Sequence, residues 1–430
     1  MNVTVIGGGL AGCECAYTLA KRGIGVTLID MKPGRKTPAH NSDNLCELVC
    51  SNSLRGERLE TAPGLLKAEM RMLGSLIIRA ADACRVKAGG ALAVDRTAFE
   101  GYVTGEMNSN PLITVRSEEV TVLPPERPLV IASGPLTSDS LSIDIQRIVG
   151  CDFLSFYDAA APIVSADSVD MNFAYFGDRY GRGDGDYINC PMEKEEYLAF
   201  RTALADAAQA EVHGFEDGRV FEGCMPVEVL ARRGEDALRY GPMKPVGLRD
   251  PRTDRGAYAV AQLRRDNSAG TMYNMVGFQN HLTFGEQRRV FSMIPALRNA
   301  EFLRYGVMHR NTFINSPKLL TAGYMLEKMP GVYFAGQITG VEGYIESAAS
   351  GLTVGLTIAK GGALNLPPET AFAALSRHVS TENRDFQPMN INFGLLPPLG
   401  GTVRDKAKRN AALSERALQA LEGWIHENNY

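Results

Sequence analysis

Residues 1–30, MNVTVIGGGLAGCECAYTLAKRGIGVTLID, decide the fold of this chain. The β-branched run Asn2–Ile6 predicts a buried strand, and a glycine-rich turn follows it. Residues 10–21 are rich in alanine and predict a helix, and residues 26–29 predict a second strand that ends at Asp30. This order is one βαβ unit, which predicts an α/β protein with a parallel, Rossmann-like sheet.

Gly7, Gly9 and Gly12 have the spacing of a dinucleotide-binding turn. The first glycine permits the tight turn, the second lets the backbone approach a pyrophosphate, and the third lets the helix pack closely on the strand. The helix N-terminus favours phosphate, and Asp30 is placed to accept hydrogen bonds from ribose hydroxyls. From this motif alone, two alternatives stay open: a glycine-rich turn that binds no ligand, and a turn that binds NAD. The residues of this predicted half-site are Gly7, Gly8, Gly9, Leu10, Ala11, Gly12 and Asp30.

A second strand–glycine–helix sequence lies near the C-terminus. Residues 332–335 predict a strand, Gly336 and Gln337 follow it, and Gly343 and Tyr344 lead into a helix over residues 345–360. Two-part flavoproteins place the ribityl chain and isoalloxazine at such a turn, where the positive end of the helix dipole stabilises reduced, anionic flavin. The two turns together favour FAD over NAD. They also make Tyr344 a candidate for stacking on isoalloxazine or on a substrate ring.

The overall composition narrows the function classes. A chain of 430 residues predicts at least two domains, and its net charge of −4 requires any RNA to meet a local basic patch. No run reaches the ~20 apolar residues of a membrane span, and no signal peptide precedes the first strand, so a cytoplasmic protein without membrane contact is expected. The eight cysteines include no CxxC pair or nearby histidine pair, which predicts thiols and no metal site.

The pattern along the chain predicts a discontinuous FAD-binding domain, residues 1–145 and 311–430, interrupted by an inserted α+β domain, residues 146–310. The middle contains β-rich runs at 257–263 and 273–278 and a strong helix at 193–208. Further predicted elements are helices at 65–83, 97–107 and 405–426, a strand at 91–94, and a buried strand over 129–135 that ends in a tight turn.

Two cysteines have a context that suggests reactivity. Cys224 lies just before a predicted helix that begins at Pro226, where a thiol pKa falls. Cys50 lies on the long polar loop 33–63, close in topology to the nucleotide site. A buried structural cysteine remains the alternative at both positions.

Eight distinctive strings of residues occur along most of the chain. They are TPAH at 37–40, VCSNSL at 49–54, GGALAVDR at 89–96, YINCPM at 187–192, CMPVE at 224–228, GPMKPVGL at 241–248, RYGVMHRN at 304–311 and GVEGY at 340–344. Together with the glycine motif at Gly7, these strings resemble the folate- and FAD-dependent tRNA uridine-5-methyltransferases, the TrmFO family, which is related to the GidA flavoproteins. The main departure is Asp30, where glutamate is common, and this change should keep ribose binding.

The resemblance implies a GidA-like and glutathione-reductase-like FAD fold and a specific reaction. In it, 5,10-methylenetetrahydrofolate supplies carbon, FAD supplies electrons, NADPH or NADH regenerates reduced FAD, and the product is 5-methyluridine in the tRNA T-loop. Cys224 matches the nucleophile that attacks uracil C6. Cys50 matches a second active-site cysteine that serves as the general acid or base or assists it, and a water or a tyrosine is the alternative for that proton transfer. His309 and Arg310 are candidates for holding the folate or a phosphate.

Other functions remain open at this stage. The same chemistry on ribosomal RNA would leave the strings unchanged, and more distant alternatives are a small-molecule flavin oxidoreductase or a flavoprotein that only binds RNA. RNA binding would need at least one basic cluster, since phosphate contacts supply much of the affinity. The candidate contacts are Arg232, Arg233, Arg249, Arg252, Arg255, Arg264, Arg265, Arg288, Arg289, Arg404, Lys406, Lys408 and Arg409.

Overall fold

A computed structural model describes residues 1–37, 39–150, 154–159, 161–181, 184–210, 225–306, 308–383, 386–401 and 403–428, with backbone alone at 154–159 and 308–310. The strands are β1 (Asn2–Ile6), β2 (Gly25–Asp30), β3 (Ser53–Gly56), β4 (Arg85–Val86), β5 (Ala91–Val94), β6 (Ile113–Ser117), β7 (Leu129–Ile131), β8 (Leu154–Ala159), β9 (Ile163–Ser165), β10 (Tyr175–Phe176), β11 (Tyr187–Met192), β12 (Ala259–Arg265), β13 (Met272–Met275), β14 (Phe302–Arg304), β15 (Met308–Phe313) and β16 (Val332–Phe334). The helices are α1 (Leu10–Ala20), α2 (Ala62–Met72), α3 (Leu76–Ala83), α4 (Arg96–Ser109), α5 (Asp139–Val149), α6 (Lys194–Ala205), α7 (Val227–Arg233), α8 (Ala237–Tyr240), α9 (Phe284–Phe291), α10 (Tyr344–Lys360), α11 (Ala371–Ser380) and α12 (Lys406–Asn428).

The first sheet is fully parallel, with the strand order β16–β7–β1–β2–β6. The first strand of the chain therefore lies at its centre, and Val3 and Val5 are completely buried there. Parallel strands of this kind need helices on both faces, and α1 is the first of them. The predicted α/β class with a parallel, Rossmann-like sheet is confirmed.

Helices α1 and α10 cross in close contact because glycines face the crossing. A Cβ added at Gly351 would lie 2.1 Å from the carbonyl oxygen of Ala11, and one at Gly355 would lie 2.8 Å from Cβ of Thr18. Real side chains never approach this closely, so the crossing requires glycine at both positions. This crossing packs the middle of α10, at Gly351, against the start of α1, at Ala11.

The predicted helix over residues 65–83 is wrong, because the chain forms two helices there. Gly74 has a φ of +73°, which ends α2, and Ser75 then caps α3 through its hydroxyl. The buried Glu14 carboxylate also accepts hydrogen bonds from the amides of Leu76 and Ile77, at 3.0 and 2.9 Å. Burial raises the pKa of Glu14 to about 7.

The middle of the chain builds an antiparallel sheet with the order β10–β11–β12–β13–β9–β14. Its core contains Phe200 from α6 and Phe291 from α9, while the core around the first sheet draws on residues before 150 and after 313. The two strands of the antiparallel pair β8–β15 connect the region around the first sheet with the middle region, β8 on the way in and β15 on the way back. We retain the division into residues 1–145 with 311–430 and 146–310 as a proposal. Among the described helices, none has the length and apolar character needed to cross a membrane.

Candidate active site

The glycine turn after β1 forms one wall of a cleft. Gly7 has a φ of +106°, and a Cβ there would lie 2.3 Å from the carbonyl oxygen of Ala132. A Cβ at Gly12 would lie 1.8 Å from the carbonyl oxygen of Gly7, so α1 packs directly on the turn. At Gly9 a Cβ would meet nothing within 4 Å. The backbone at Gly9 is therefore open to a ligand, as a pyrophosphate requires.

The end of β2 supplies a carboxylate to the same cleft. Asp30 accepts hydrogen bonds from the amide of Gly8 at 2.6 Å and from the amide of Lys32 at 2.9 Å. These bonds hold the side chain in place and leave each oxygen a further lone pair for a ribose hydroxyl. Leu10 and Ala11, in the first turn of α1, also line the cleft.

The second glycine turn meets the first across this cleft. Gly336, Gln337 and Tyr344 line it together with the first turn. Gly336 has a φ of +84°, its amide donates to the Ser350 hydroxyl at 2.7 Å, and a Cβ there would lie 3.0 Å from Cβ of Ala11. The two half-sites predicted from opposite ends of the sequence thus lie in one place.

A second cavity, of about 310 Å³, adjoins the cleft. Cys50 lines this cavity, and so do Gln279 and Asn311, which lie more than 200 residues later in the sequence. Residues that line both spaces include Gln337 and Tyr344. The cavity has the size of a pocket for a small ring system, and it opens directly beside the dinucleotide cleft.

Tyr344 connects the two spaces. Its hydroxyl oxygen accepts hydrogen bonds from the amides of Cys50 at 2.9 Å and Ser51 at 3.1 Å. Burial raises the pKa of Tyr344, so the hydroxyl stays neutral. The residue at the start of α10 therefore fixes the backbone of the loop that carries Cys50. Stacking of its ring on isoalloxazine or on substrate stays a prediction.

Three arginines, of which one is buried and two are partly buried, also hold this loop. Arg96 donates to the carbonyl oxygen of Leu48, and Arg304 donates to the carbonyl oxygen of Val49 at 2.8 Å. Arg96 also pairs with Asp266 at 3.0 Å. Because Arg304 and Asp266 belong to the middle of the chain, that region contacts the Cys50 loop directly.

Arg264 is the third of these arginines, and it corrects one prediction. It donates to the Asn52 side-chain oxygen at 3.1 Å and to the Ser51 hydroxyl at 2.8 Å. Only 8% of its surface is exposed, so it is wrong to count it among surface contacts for RNA phosphates. Among the other candidates, Arg252 pairs with Asp250 and Arg289 with Glu286, at 2.7 and 2.6 Å.

Cys224 lies outside the described residues. The described chain resumes at Met225, and Pro226 is the N-cap of α7, not its first helical residue as predicted. The amide of Val227 donates to the carbonyl oxygen of Gln279 at 2.7 Å, and Gln279 lines the cavity beside Cys50. The chain after Cys224 is therefore tied to the wall of this cavity.

For His309 and Arg310 the structure describes only the backbone, which lies in β15 and pairs with β8. Their side chains lie outside the described part of the chain. The next residue, Asn311, lines the cavity although sequence reasoning did not select it. Gln279, Glu342 and Asn390 line it as well. Gln279 and Asn390 lie outside every string quoted above, and Asn311 and Glu342 lie inside two of those strings without a spacing that marks a role for them. Among the described residues, no group of three or more potential metal ligands is present.

Comparison with known proteins places the chain in a family. The family model described as glucose inhibited division protein A matches residues 2–364. The structure of Aquifex aeolicus GidA (form II crystal) superposes with a TM-score of 0.69 at 15% identity, covering 99% of this chain and 75% of that one. This likeness supports the fold alone.

Two curated relatives carry the name methylenetetrahydrofolate–tRNA-(uracil-5-)-methyltransferase TrmFO. The protein from Heliobacterium modesticaldum is 56% identical over 433 residues, covering 100% of this chain and 99% of its own length. That from Listeria monocytogenes is 54% identical and covers 98% of each chain. Fold and cleft define a GidA-type α/β protein with a dinucleotide-binding cleft. Within that group, the chain belongs to the TrmFO family.

Proposed function

We propose that this protein is a methylenetetrahydrofolate–tRNA-(uracil-5-)-methyltransferase, which forms 5-methyluridine in the T-loop of tRNA. The observation that carries the proposal is the shared wall between the dinucleotide cleft and the Cys50 cavity, formed by Gln337 and Tyr344. A reaction that joins a redox cofactor, a one-carbon donor and a base needs two adjoining spaces of this kind. The curated relatives at 53–56% identity are named for this activity.

The cleft fits FAD on its own geometry. Open space at Gly9, the helix N-terminus behind it and the carboxylate of Asp30 suit a pyrophosphate and a ribose. Gly336, Gln337 and Tyr344 would border the rest of the cofactor. Bound FAD would supply the electrons that complete the methyl group. NADPH or NADH as the source of those electrons is part of the proposal.

The chain's own residues would act on the base. In the proposed reaction Sγ of Cys224 bonds to uracil C6, and the displaced electron pair makes C5 nucleophilic toward the folate-derived carbon. Cys50, whose amide is held by Tyr344 and whose neighbour Val49 is held by Arg304, is proposed to move the proton at C5 or to assist that step. His309 and Arg310 remain proposed contacts for folate or phosphate. The uridine lies in a folded loop, so it must flip into the cavity.

The substrate is proposed to be tRNA because the relatives' names specify it, and no observation favours ribosomal RNA or a small molecule. A cytoplasmic location belongs to the same proposal, since tRNA and the folate and nicotinamide cosubstrates are found there. The basic residues that remain on the surface, such as Arg288 and the tail cluster around Lys408, are candidates for phosphate contacts.

The test is covalent trapping on RNA. A T-arm RNA with 5-fluorouridine at the target position should form an adduct with the wild-type protein that peptide mass mapping assigns to Cys224. Cys224→Ala should abolish both the adduct and methyl transfer while the purified protein stays yellow. Cys84→Ala, at the C-cap of α3 outside both spaces, is the matched control and should behave as wild type. Full methyl transfer by Cys224→Ala, or an adduct mapped to Cys50, would reject the nucleophile assignment.

A further inference from the structure

Asn311 has an unusual environment for a buried amide. It lies in β15, only 1% of its surface is exposed, and it lines the 310 Å³ cavity beside Cys50. Neither its side-chain oxygen nor its side-chain nitrogen has a hydrogen-bond partner among the described residues. A buried donor or acceptor left without a partner costs about 1–3 kcal/mol. The fold therefore maintains two unpaired polar groups at the surface of a cavity.

Other buried side-chain amides differ from Asn311 in their hydrogen bonding. Asn189 donates to the carbonyl oxygen of Gly177 at 2.8 Å, and the side chain of Gln287 uses both of its ends in bonds to Gly306. Asn274 and Asn315 each have one unpaired side-chain atom and line neither space described above. Among the buried side chains of the described residues, Asn311 is the one amide that leaves both its oxygen and its nitrogen without a partner.

We propose that Asn311 binds the edge of the target uracil, and this inference rests on the proposed function. A carboxamide presents one acceptor and one donor side by side, which matches N3–H and the carbonyl oxygen O4 of uracil. The side-chain oxygen of Asn311 accepts from N3–H, and its NH2 group donates to O4. An amide can turn over to suit cytosine, so the residue anchors and orients the pyrimidine and leaves discrimination against cytosine to other groups.

The same contact assists the chemistry. When a thiolate adds to C6, the electron pair of the C5–C6 double bond moves toward C4, and negative charge develops on O4. A donor already aimed at O4 stabilises this charge without reorganisation, as an oxyanion-hole donor does. Asn311 is thus assigned both to binding of the base and to its activation. Its position beside Gln279, whose carbonyl holds the chain just after Cys224, suits this role.

The test pairs a change in the protein with a change in the RNA. T-arm RNAs carry either uridine or 3-methyluridine at the target position, and the second lacks N3–H. The wild type should transfer methyl to the 3-methyluridine RNA about 10- to 100-fold more slowly, as expected for loss of one or two hydrogen bonds. Asn311→Ala should be slow on uridine by a similar factor and should no longer distinguish the two RNAs. Asn274→Ala, a buried asparagine outside the cavity, should keep the wild-type ratio.

A second variant separates binding from folding. Asn311→Leu has nearly the same volume and removes both unpaired groups, so its melting temperature should equal or exceed that of the wild type while methyl transfer falls. Flavin absorbance, and reduction of bound flavin by NADPH without RNA, should be unchanged in both variants. A structural asparagine would instead give an unstable Leu variant with normal discrimination.

The outcomes are distinct. An unchanged ratio between the two RNAs in Asn311→Ala would overturn the inference, as would loss of bound flavin or a rise confined to the KM for methylenetetrahydrofolate. The last two results would assign the amide to the cofactor or to the carbon donor. If the wild type transfers no methyl group to any RNA, the proposed function itself fails, and this inference fails with it.

Discussion

The dinucleotide cleft and the Cys50 cavity lie side by side but are built in opposite ways. The cleft depends mainly on backbone, with Gly7, Gly9 and Gly336 in its lining and Gly12 packed behind the first turn. The cavity is made of side chains from many separate segments, such as Arg264 in β12 and Asn311 in β15. A backbone site needs residues of one type at fixed spacing, whereas a side-chain site can draw on any segment that the fold brings near.

This difference predicts different responses to mutation. In the cleft, a substitution either breaks the fold or blocks the ligand, depending on which side of the turn its Cβ faces. In the cavity, a substitution removes one contact and leaves the fold and the cofactor in place. The following predictions test that contrast, beginning with the largest effect.

Gly12→Val should prevent folding. Its Cβ would lie 1.8 Å from the carbonyl oxygen of Gly7, and backbone cannot move aside without separating α1 from the sheet. The expected destabilisation is about 4 kcal/mol or more, which exceeds the margin of many domains. Yield of folded protein and the urea midpoint measure it. A folded Gly12→Val protein with normal stability would show that the turn is not packed as described.

Gly9→Val, three residues earlier, should fold and lose FAD. Its Cβ meets nothing within 4 Å, so the added methyl groups project into the cleft where the pyrophosphate would approach. We expect affinity for FAD to fall by about 100-fold or more, equivalent to roughly 2.7 kcal/mol. The purified protein should be colourless, with a circular dichroism spectrum like that of the wild type. Yellow protein would contradict the assignment of this turn to FAD.

Tyr344→Phe tests the wall between the two spaces. It removes the oxygen that accepts from the amides of Cys50 and Ser51 and leaves both without that partner. At about 1–3 kcal/mol for such a loss, methyl transfer should fall by roughly 5- to 100-fold while FAD remains bound. Tyr333→Phe, in the neighbouring β16 and outside both spaces, serves as the control. Equal activity of the two variants would mean that the loop is held without Tyr344.

The last prediction concerns the stability of the region that carries the cleft. Glu69 is fully buried and accepts hydrogen bonds from the amides of Ala371 and Phe372 at the start of α11. Burial raises the pKa of Glu69 from 4.5 to about 8. The folded state thus holds the proton more tightly than the unfolded state, so this contribution is complete below about pH 4.5 and is lost as pH rises to about 8.

Glu69→Gln should therefore reduce the decline of unfolding free energy between about pH 5 and about pH 8, measured by urea denaturation. Part of the decline should remain, because burial also raises the pKa of Glu14 to about 7. The control is Glu422→Gln on the exposed face of α12, which should leave the decline unchanged. A steeper decline in Glu69→Gln would mean that the carboxylate is charged in the folded protein.

The contrast between the cleft, which depends on backbone, and the cavity, which is built from side chains, explains which features could be predicted from the sequence. The βαβ unit and both glycine turns were predictable because the fold imposes glycine at Gly7 and Gly12 through local clashes. The break at Gly74 was not, since a glycine inside an apolar periodic pattern also fits one continuous helix. The cavity residues were unpredictable individually, because Asn311 meets Cys50 only through the pairing of β15 with β8 and the docking of the middle region.

The crossing of α1 and α10 also has a consequence for the order in which the molecule matures. The ribosome delivers β1, α1, β2, β6 and β7 early, but β16, which completes that edge of the sheet, and α10, which covers α1, emerge only after the whole middle region. The antiparallel region can fold in the interval, while the first sheet waits with an apolar face uncovered. The cofactor can therefore bind only late in the synthesis of the chain, after β16 and α10 have emerged. Free FAD can thus stabilise only chains that have been synthesised beyond Lys360, the last residue of α10.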